Sequence, residues 1–231
     1  EILVGKGIAS KLLGVYGPFE KAAFLNRYIN LVGLSVAQFS GRPELTFHFA
    51  VLNAEEVNAF ATPGGYVFVT HGLLRLLESE DELACVLGHE IAHVTEKHLY
   101  KDVAVKRKVS TGENLVRLLS RGGADISGAV GQMVSKGLKM LIEEGYPVQK
   151  EADADAVGVM FAAAAGYDPS ALSRLIKRIE DKKANIQLSK THPPQEREQR
   201  DIRPYRKVQD ASTLLPLRRE EGPCGRREPY L

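Results

Sequence analysis

Residues 82–98, ELACVLGHEIAHVTEKH, contain an H-E-x-x-H pattern at positions 89–93, and this stretch decides how the rest of the chain is interpreted. Its composition favours an α-helix, in which residues four apart lie one turn up the same face. His89 and His93 can therefore bind one Zn²⁺ together, and Glu90 can reach a water on that metal. Apolar residues surround the three polar ones, and buried histidines and a buried glutamate need partners. The stretch therefore predicts a metal site.

The flanks of this stretch indicate where its helix begins and ends. Ser79 is expected to be the N-cap, and Glu82 stands three residues later at the capping-box position. His98 is out of phase with the two histidines of the pattern, so we expect it at a solvated helix end. Cys85 lies one turn before His89, and the interpretation we favour is a small buried side chain, with a role near the metal as the alternative.

The composition is that of an ordinary globular protein. The chain has 231 residues, 44% of them hydrophobic and 26% charged, with a net charge of +2. We expect one domain over residues 1–231. No basic tract interleaved with aromatic residues occurs, so we expect no nucleic-acid partner. Two cysteines are too few for a disulfide framework, and whether they pair is left open, as is the oligomeric state.

No uninterrupted run of eighteen apolar residues occurs, so we expect no membrane-spanning helix. Peripheral attachment to a membrane stays possible, particularly through residues 112–146. The chain begins at Glu1 without an initiator methionine or a signal peptide, and we expect any localisation signal to lie outside this fragment.

The hydrophobic pattern predicts an α+β fold that is mainly helical, with a small sheet beside the H-E-x-x-H helix. Strands are expected over 45–52 and 66–70, joined by a polar connection over 53–62 and a Pro-Gly-Gly turn. Residues 112–146, rich in glycine, are expected to form a lid-like helical segment, and a tail is expected from about residue 203. Besides the H-E-x-x-H helix, helices are predicted over 2–16, 19–39, 73–77, 150–165, 170–185 and 195–200.

A catalytic zinc site needs three protein ligands and one open position, and the pattern supplies two of them. No further histidine follows His93 at the offset that some zinc enzymes use. Glu151, at the start of the helix over 150–165, is the natural candidate. Asp155 is on the same face, placed to accept an N–H from a zinc-binding histidine, whereas Asp153 points elsewhere. The alternative is that these are merely acidic residues at a helix start.

Four blocks of sequence, in this order, resemble the zinc metallopeptidase (gluzincin) family that includes the CAAX prenyl protease, HtpX and a periplasmic barrel-assembly-enhancing protease. The match extends over roughly residues 26–200, and Pro147-Val148 stands where the family often has Ser-Arg. The blocks are NAFA at 58–61 with PGG at 63–65, the H-E-x-x-H pattern, EADAD at 151–155 and THPP at 191–194.

The resemblance implies a zincin-like domain with one Zn²⁺ per chain, held by His89, His93 and Glu151. In this interpretation the chain is an endopeptidase, and Glu90 takes a proton from the attacking water and delivers it to the leaving amine. Its substrates would be unfolded or misassembled polypeptides. Because the chain lacks membrane spans, it resembles the soluble bacterial envelope branch of the family, and we expect a periplasmic or membrane-associated location.

Two further expectations follow from the resemblance. His192 and Arg197, with Arg200 as the alternative to the latter, would stabilise the oxyanion of the transition state. In a second interpretation His192 is the fourth zinc ligand, which makes the protein latent or a non-catalytic chaperone-like binding module. An extended substrate is expected to add as a strand along Gly65, Tyr66, Val67, Phe68 and Val69.

Overall fold

The computed structural model describes residues 1–19, 23–104 and 124–182, which all belong to the first of two structural units, Glu1–Arg200. These residues form eight α-helices, one π-helical turn and three strands. The helices are α1 Ile2–Tyr16, α2 Ala23–Ala37, α3 His71–Leu74, α4 Glu80–Thr95, α5 His98–Val103, α6 Ala124–Lys139, α7 Val148–Ala164 and α8 Ala171–Lys182; the π-helical turn is Met140–Glu144, and the strands are β1 His48–Leu52, β2 Ala59–Thr62 and β3 Tyr66–Thr70.

The prediction of a mainly helical fold with a small sheet is confirmed. The polar connection predicted over 53–62 is wrong for its last four residues, which form β2. This strand pairs with β3 across a tight turn, because Gly64 and Gly65 adopt φ of +84° and +95°, a region that glycine enters without strain. Ala59, Phe60 and Ala61 are apolar and gain burial on both faces of the sheet. The helix predicted over 195–200 lies outside the described residues.

The sheet has the order β1-β3-β2, with β3 in the centre. β1 runs parallel to β3, and β2 runs antiparallel to it. The outer edge of β1 is closed by two side chains of α2. The Asn26 carboxamide oxygen accepts from the Val51 N–H (2.9 Å), and Asn30 both accepts from the N–H of Phe49 (3.2 Å) and donates to its carbonyl (2.7 Å). Asparagines one helical turn apart thus replace a missing neighbouring strand.

Side chains of the sheet alternate between two helical layers, as strand geometry requires. On one face Val51, Val67 and Val69 pack in a core with residues of α2 and α4. On the other face Phe60 and Phe68 pack in a second core with residues of α1 and α6. The sheet therefore holds α4 against one of its faces, and β2 is the strand with the most extensive contact to α4.

The described part of the predicted lid-like segment is α6 and the π-helical turn. Val134 and Gly137 of α6 meet Gly7 and Ile8 of α1 at close range, so this part is packed against the N-terminal helix. A covering role for the segment stays a prediction. Among the described residues, no helix is both long enough and apolar enough to cross a membrane.

Candidate metal centre

The start of α4 is built as the sequence indicates, with one difference. The Ser79 hydroxyl accepts from the Glu82 N–H at 3.2 Å, which confirms the N-cap. The Glu82 carboxylate reaches back to the N–H of Glu78 (2.8 Å) rather than to that of Ser79. It also forms a buried ion pair with Arg178 of α8, with Nη2 to Oε1 at 2.6 Å. The ion pair fixes the entry of α4 against α8.

Two glycines let α4 and α7 cross with their backbones in contact. A Cβ placed on Gly88 would lie 2.4 Å from the carbonyl oxygen of Gly158, and a Cβ on Gly158 would lie 2.4 Å from the His89 nitrogen. No side chain larger than hydrogen fits at either position without separating the helices. This crossing places the first turns of α7 beside the histidines of α4.

His89 and His93 of α4 converge with Glu151 of α7. The two Nε2 atoms are 3.0 Å apart, and they lie 3.5 Å and 3.4 Å from the two carboxylate oxygens of Glu151. One ligand atom from each residue lies within 4.8 Å of the others, and all three residues are buried. Two imidazole nitrogens and one carboxylate oxygen are a donor set typical of zinc. The residues therefore fit the metal that the sequence predicts.

Asp155 orients the first histidine. Its carboxylate oxygen lies 2.8 Å from Nδ1 of His89, on the far side of the ring from Glu151. A proton on Nδ1 is thereby favoured, which makes Nε2 the nitrogen that can bind a metal. Asp153 points elsewhere, as expected, and accepts from Gln149 at 2.7 Å.

The second histidine is held in a way that the sequence did not indicate. His98, expected at a solvated end, is 6% exposed, and its Nδ1 lies 2.9 Å from Nδ1 of His93. The expectation is wrong because Lys97 adopts a left-handed conformation, with φ of 57°, and turns the chain back so that α5 begins at His98. Burial lowers the pKa of His98, and the nearby Lys150 ammonium lowers it further.

Tyr146 covers the face of the same histidine. Its ring stacks on His93 with the centroids 4.3 Å apart and the planes at 16°. The π-helical turn and Gly145, at φ of 72°, bring the tyrosine there. Burial raises the pKa of Tyr146 well above its ordinary value, and the charges of Glu90 and Glu151 add to this effect. The phenol is therefore protonated at neutral pH. Tyr146 is not among the site residues that the sequence analysis predicts.

Glu90, the residue after His89, is 2% exposed. The charges of its carboxylate and of the Glu151 carboxylate both raise the pKa of Tyr146. Cys85, by contrast, is buried and free, and its thiol points to the Asp168 carbonyl (3.6 Å). Burial raises the pKa of the Cys85 thiol to about 12. Cys85 therefore belongs to the core, in agreement with the favoured interpretation.

Two further groups of site residues were predicted from the sequence. His192, Arg197 and the alternative Arg200 lie outside the described residues. The substrate strand predicted over residues 65–69 is β3 with the glycine before it, and both edges of β3 are already paired with β1 and β2. A substrate cannot add to it through backbone hydrogen bonds, so this prediction is wrong. The position of a strand in a sheet depends on which other strands pair with it, and the residue pattern of that strand alone does not indicate this.

A His-His-Glu cluster on two crossed helices beside a small sheet defines a zincin-like metalloprotease domain. Sequence comparison agrees with this class. A family model described as "Peptidase family M48" matches residues 24–203, and the chain belongs to that family of zinc metallopeptidases.

Three curated relatives illustrate how far the similarity extends. The Beta-barrel assembly-enhancing protease of Escherichia coli (strain K12) is 27% identical over 170 residues, which cover 71% of this chain and 34% of the relative. The Mitochondrial metalloendopeptidase OMA1 of Schizosaccharomyces pombe is 28% identical over 202 residues, 85% of this chain and 56% of the relative. The Metalloprotease LoiP of Escherichia coli (strain K12) is 27% identical over 161 residues, 69% and 60% respectively. The chain thus spans less than two thirds of the length of each.

Proposed function

We propose that this chain is a zinc-dependent endopeptidase in which Glu90 is the general base. The observation that carries the proposal is the convergence of His89, His93 and Glu151 in one buried cluster, with Glu90 on the same helix. When bound to these three residues, zinc supplies a Lewis acid that polarises the scissile carbonyl and lowers the pKa of a water.

The side chains divide the remaining work. Asp155 holds the His89 ring with Nε2 turned toward Glu151, and Tyr146 covers one face of the His93 ring. The Glu90 carboxylate takes a proton from the attacking water and passes it to the amine leaving group. This role requires a base that lies beside the ligands without being one of them, and its place directly after His89 meets that requirement.

We place the substrate strand along β2 rather than β3. The outer edge of β1 is closed by α2, and no strand in the described part of the chain pairs with the outer edge of β2. In the antiparallel pairing, the Thr70 N–H donates to the Asn58 carbonyl, and residues of an antiparallel strand alternate between facing the partner and facing away from it. The N–H and C=O groups of Ala59 and Ala61 therefore point away from β3. Both alanines are buried, and substrate pairing therefore depends on this edge opening.

Pairing of this kind recognises an extended backbone more than a particular sequence. It suits unfolded or misassembled polypeptides, which we propose as the substrate class. An envelope location is proposed with it, since several similar proteins are named for barrel assembly. Peripheral membrane attachment stays a prediction.

The test compares cleavage of casein by the zinc-loaded wild type, Glu90→Gln and Glu96→Gln, with bound zinc measured in each. Glu96 is the matched control, because it is an exposed glutamate at the end of the same helix. We expect zinc in all three proteins, cleavage by the wild type and the control, and a loss of at least ~100-fold in Glu90→Gln.

Two results would contradict the proposal. Absence of zinc from the wild type would exclude the metal centre. Zinc in all three proteins with cleavage in none would instead favour the latent or non-catalytic alternative that involves His192.

A further inference from the structure

The two ligand histidines have different partners on their second ring nitrogen. His89 faces a carboxylate, that of Asp155, at 2.8 Å. His93 faces another imidazole, that of His98, at 2.9 Å between the two Nδ1 atoms. Two nitrogens at this distance share one proton, so one of them donates and the other accepts.

The proton must lie on His93 when that residue binds a metal. The Nε2 atom of His93 faces Glu151 and is the nitrogen available to a metal, and so Nδ1 carries the N–H. Nδ1 of His98 is then the acceptor. This hydrogen bond fixes the rotation of the His93 ring, which is what directs Nε2 at the cluster.

A second set of contacts, made by Asp102, holds α5 beside the cluster. Asp102 lies one turn after His98, and its two carboxylate oxygens are each 2.5 Å from Nζ of Lys150, the residue before Glu151. The backbone carbonyl of Asp102 also accepts from Lys136 of α6 at 2.5 Å. One short helix therefore contacts one ligand through His98 and the residue next to another ligand through Asp102.

We propose that His98 is a positioning residue of the metal centre, which accepts the Nδ1 proton of His93 and thereby sets the affinity for zinc. The inference rests on the proposed zinc site. His98 contacts neither substrate nor metal in this account, and it acts through His93 alone.

The test uses the full chain with His98→Asn and His98→Leu, and His48→Asn as the matched control. An Asn carboxamide oxygen can take the place of Nδ1 as an acceptor, whereas Leu fills space without accepting. His48 is an exposed histidine at the start of β1, stacked on Tyr66, and strand alternation places it on the face of the sheet opposite α4. Zinc affinity is measured by competition with a chromogenic chelator, and the fold of the metal-free proteins by circular dichroism.

We expect the zinc dissociation constant of His98→Leu to rise by ~10–100-fold, with His98→Asn restoring most of the loss and the control unchanged. Equal zinc affinity in His98→Leu and the wild type would overturn the inference. Equal losses in His98→Leu and His98→Asn would also overturn it, because they would indicate packing rather than a hydrogen bond. Absence of zinc from the wild type would instead remove the proposed function.

A second measurement needs no variant and covers the case in which His98→Leu does not fold. Long-range ¹H–¹⁵N spectra of the zinc-loaded wild type report which nitrogen of each histidine carries a proton. We expect the proton of His93 on Nδ1 and that of His98 on Nε2. A proton on Nδ1 of His98 would refute the arrangement.

Discussion

Replacing Gly158 by alanine tests whether contact between two helix backbones creates the metal centre. The new Cβ would lie 2.4 Å from the His89 nitrogen and 2.6 Å from both the Gly88 carbonyl carbon and the His89 Cα. Non-bonded heavy atoms prefer ~3.5–4.0 Å, so α4 and α7 must separate by roughly 1 Å at the crossing.

The separation acts directly on the groups around His89. Asp155 is three residues before Gly158 on α7, and its 2.8 Å contact with Nδ1 of His89 would lengthen to ~3.5 Å or more, beyond a useful hydrogen bond. Glu151, two turns before Gly158, would move from His89 as well. We expect the zinc dissociation constant to rise by ~10–100-fold.

Stability should change less than zinc affinity does. Overpacking at a helix crossing costs ~1–3 kcal/mol, while alanine gains ~1 kcal/mol over glycine in a helix. The expected net change in the free energy of unfolding is therefore a loss of ~0–2 kcal/mol. Gly131→Ala on α6 is the matched control, because in the described part of the chain no atom outside its own helix backbone and chain neighbours lies within 4 Å of its Cβ position. It should gain stability and bind zinc as the wild type does.

The assays are chelator competition for zinc and urea denaturation of the metal-free proteins. The reasoning is refuted if Gly158→Ala binds zinc with wild-type affinity and gains as much stability as Gly131→Ala. That result would mean that the two helices have room to spare at the crossing.

Three further predictions concern other parts of the fold. Arg178→Met leaves the buried Glu82 carboxylate without its cation and should cost ~3–5 kcal/mol at pH 7. Burial alone would raise the pKa of Glu82, but the bonds to Arg178 lower it overall, so the stabilisation is complete above about pH 4.5 and lost as pH falls through the lowered pKa. Urea denaturation should therefore show the two proteins converging at acid pH, and a constant difference would contradict the prediction. Asn30→Leu removes both hydrogen bonds to the edge of β1 and should lower the melting temperature by several degrees, equivalent to ~1–3 kcal/mol; an unchanged value would contradict the closed edge. Asp155→Asn should weaken zinc binding by ~10-fold or more, while Asp153→Asn, the control on the same helix, should bind zinc normally.

Each of the two pairs of candidate site residues could be predicted from helix periodicity. His89 and His93 are one turn apart, and Glu151 and Asp155 repeat that spacing on a second helix. The structure brings His89, His93 and Glu151 together and places Asp155 behind the first of them. Local spacing was sufficient for each pair, because each lies within one regular element, but it did not show that the two helices meet.

The same reasoning failed at His98 for a physical reason. Helical phase counted from His93 places His98 away from the metal, and this count assumes that α4 continues. The helix stops at Thr95, and Lys97 enters the left-handed region, which lysine rarely does. Nothing in the side chain of lysine indicates such a turn, so the reversal depends on packing of α5 that only the complete fold provides.

The misplaced substrate strand has a different origin. The residues of β3 form a strand as predicted, but its value to a substrate depends on which neighbours it has. β2 has only four residues, too few for an alternation of apolar and polar residues to distinguish it from a connection. Because β2 pairs with β3, β3 is the central strand of the sheet rather than an edge strand. An edge is a property of the whole sheet, and it cannot be assigned strand by strand.

Two glycines allow the crossing of α4 and α7, a feature of the site that the spacing of its candidate ligands does not predict. His89 and Glu151 are far apart in the chain, and helical periodicity alone does not say that their helices touch. Gly88 directly precedes His89, about 100° around the helix from it, whereas Gly158 follows Glu151 by two turns on the same face, so each glycine lies close to a candidate ligand of its helix. A glycine inside a helix costs ~1 kcal/mol relative to alanine, a cost that close helix contact can offset. Two such glycines beside two ligand pairs therefore carry information about the crossing, and that signal was already present in the sequence.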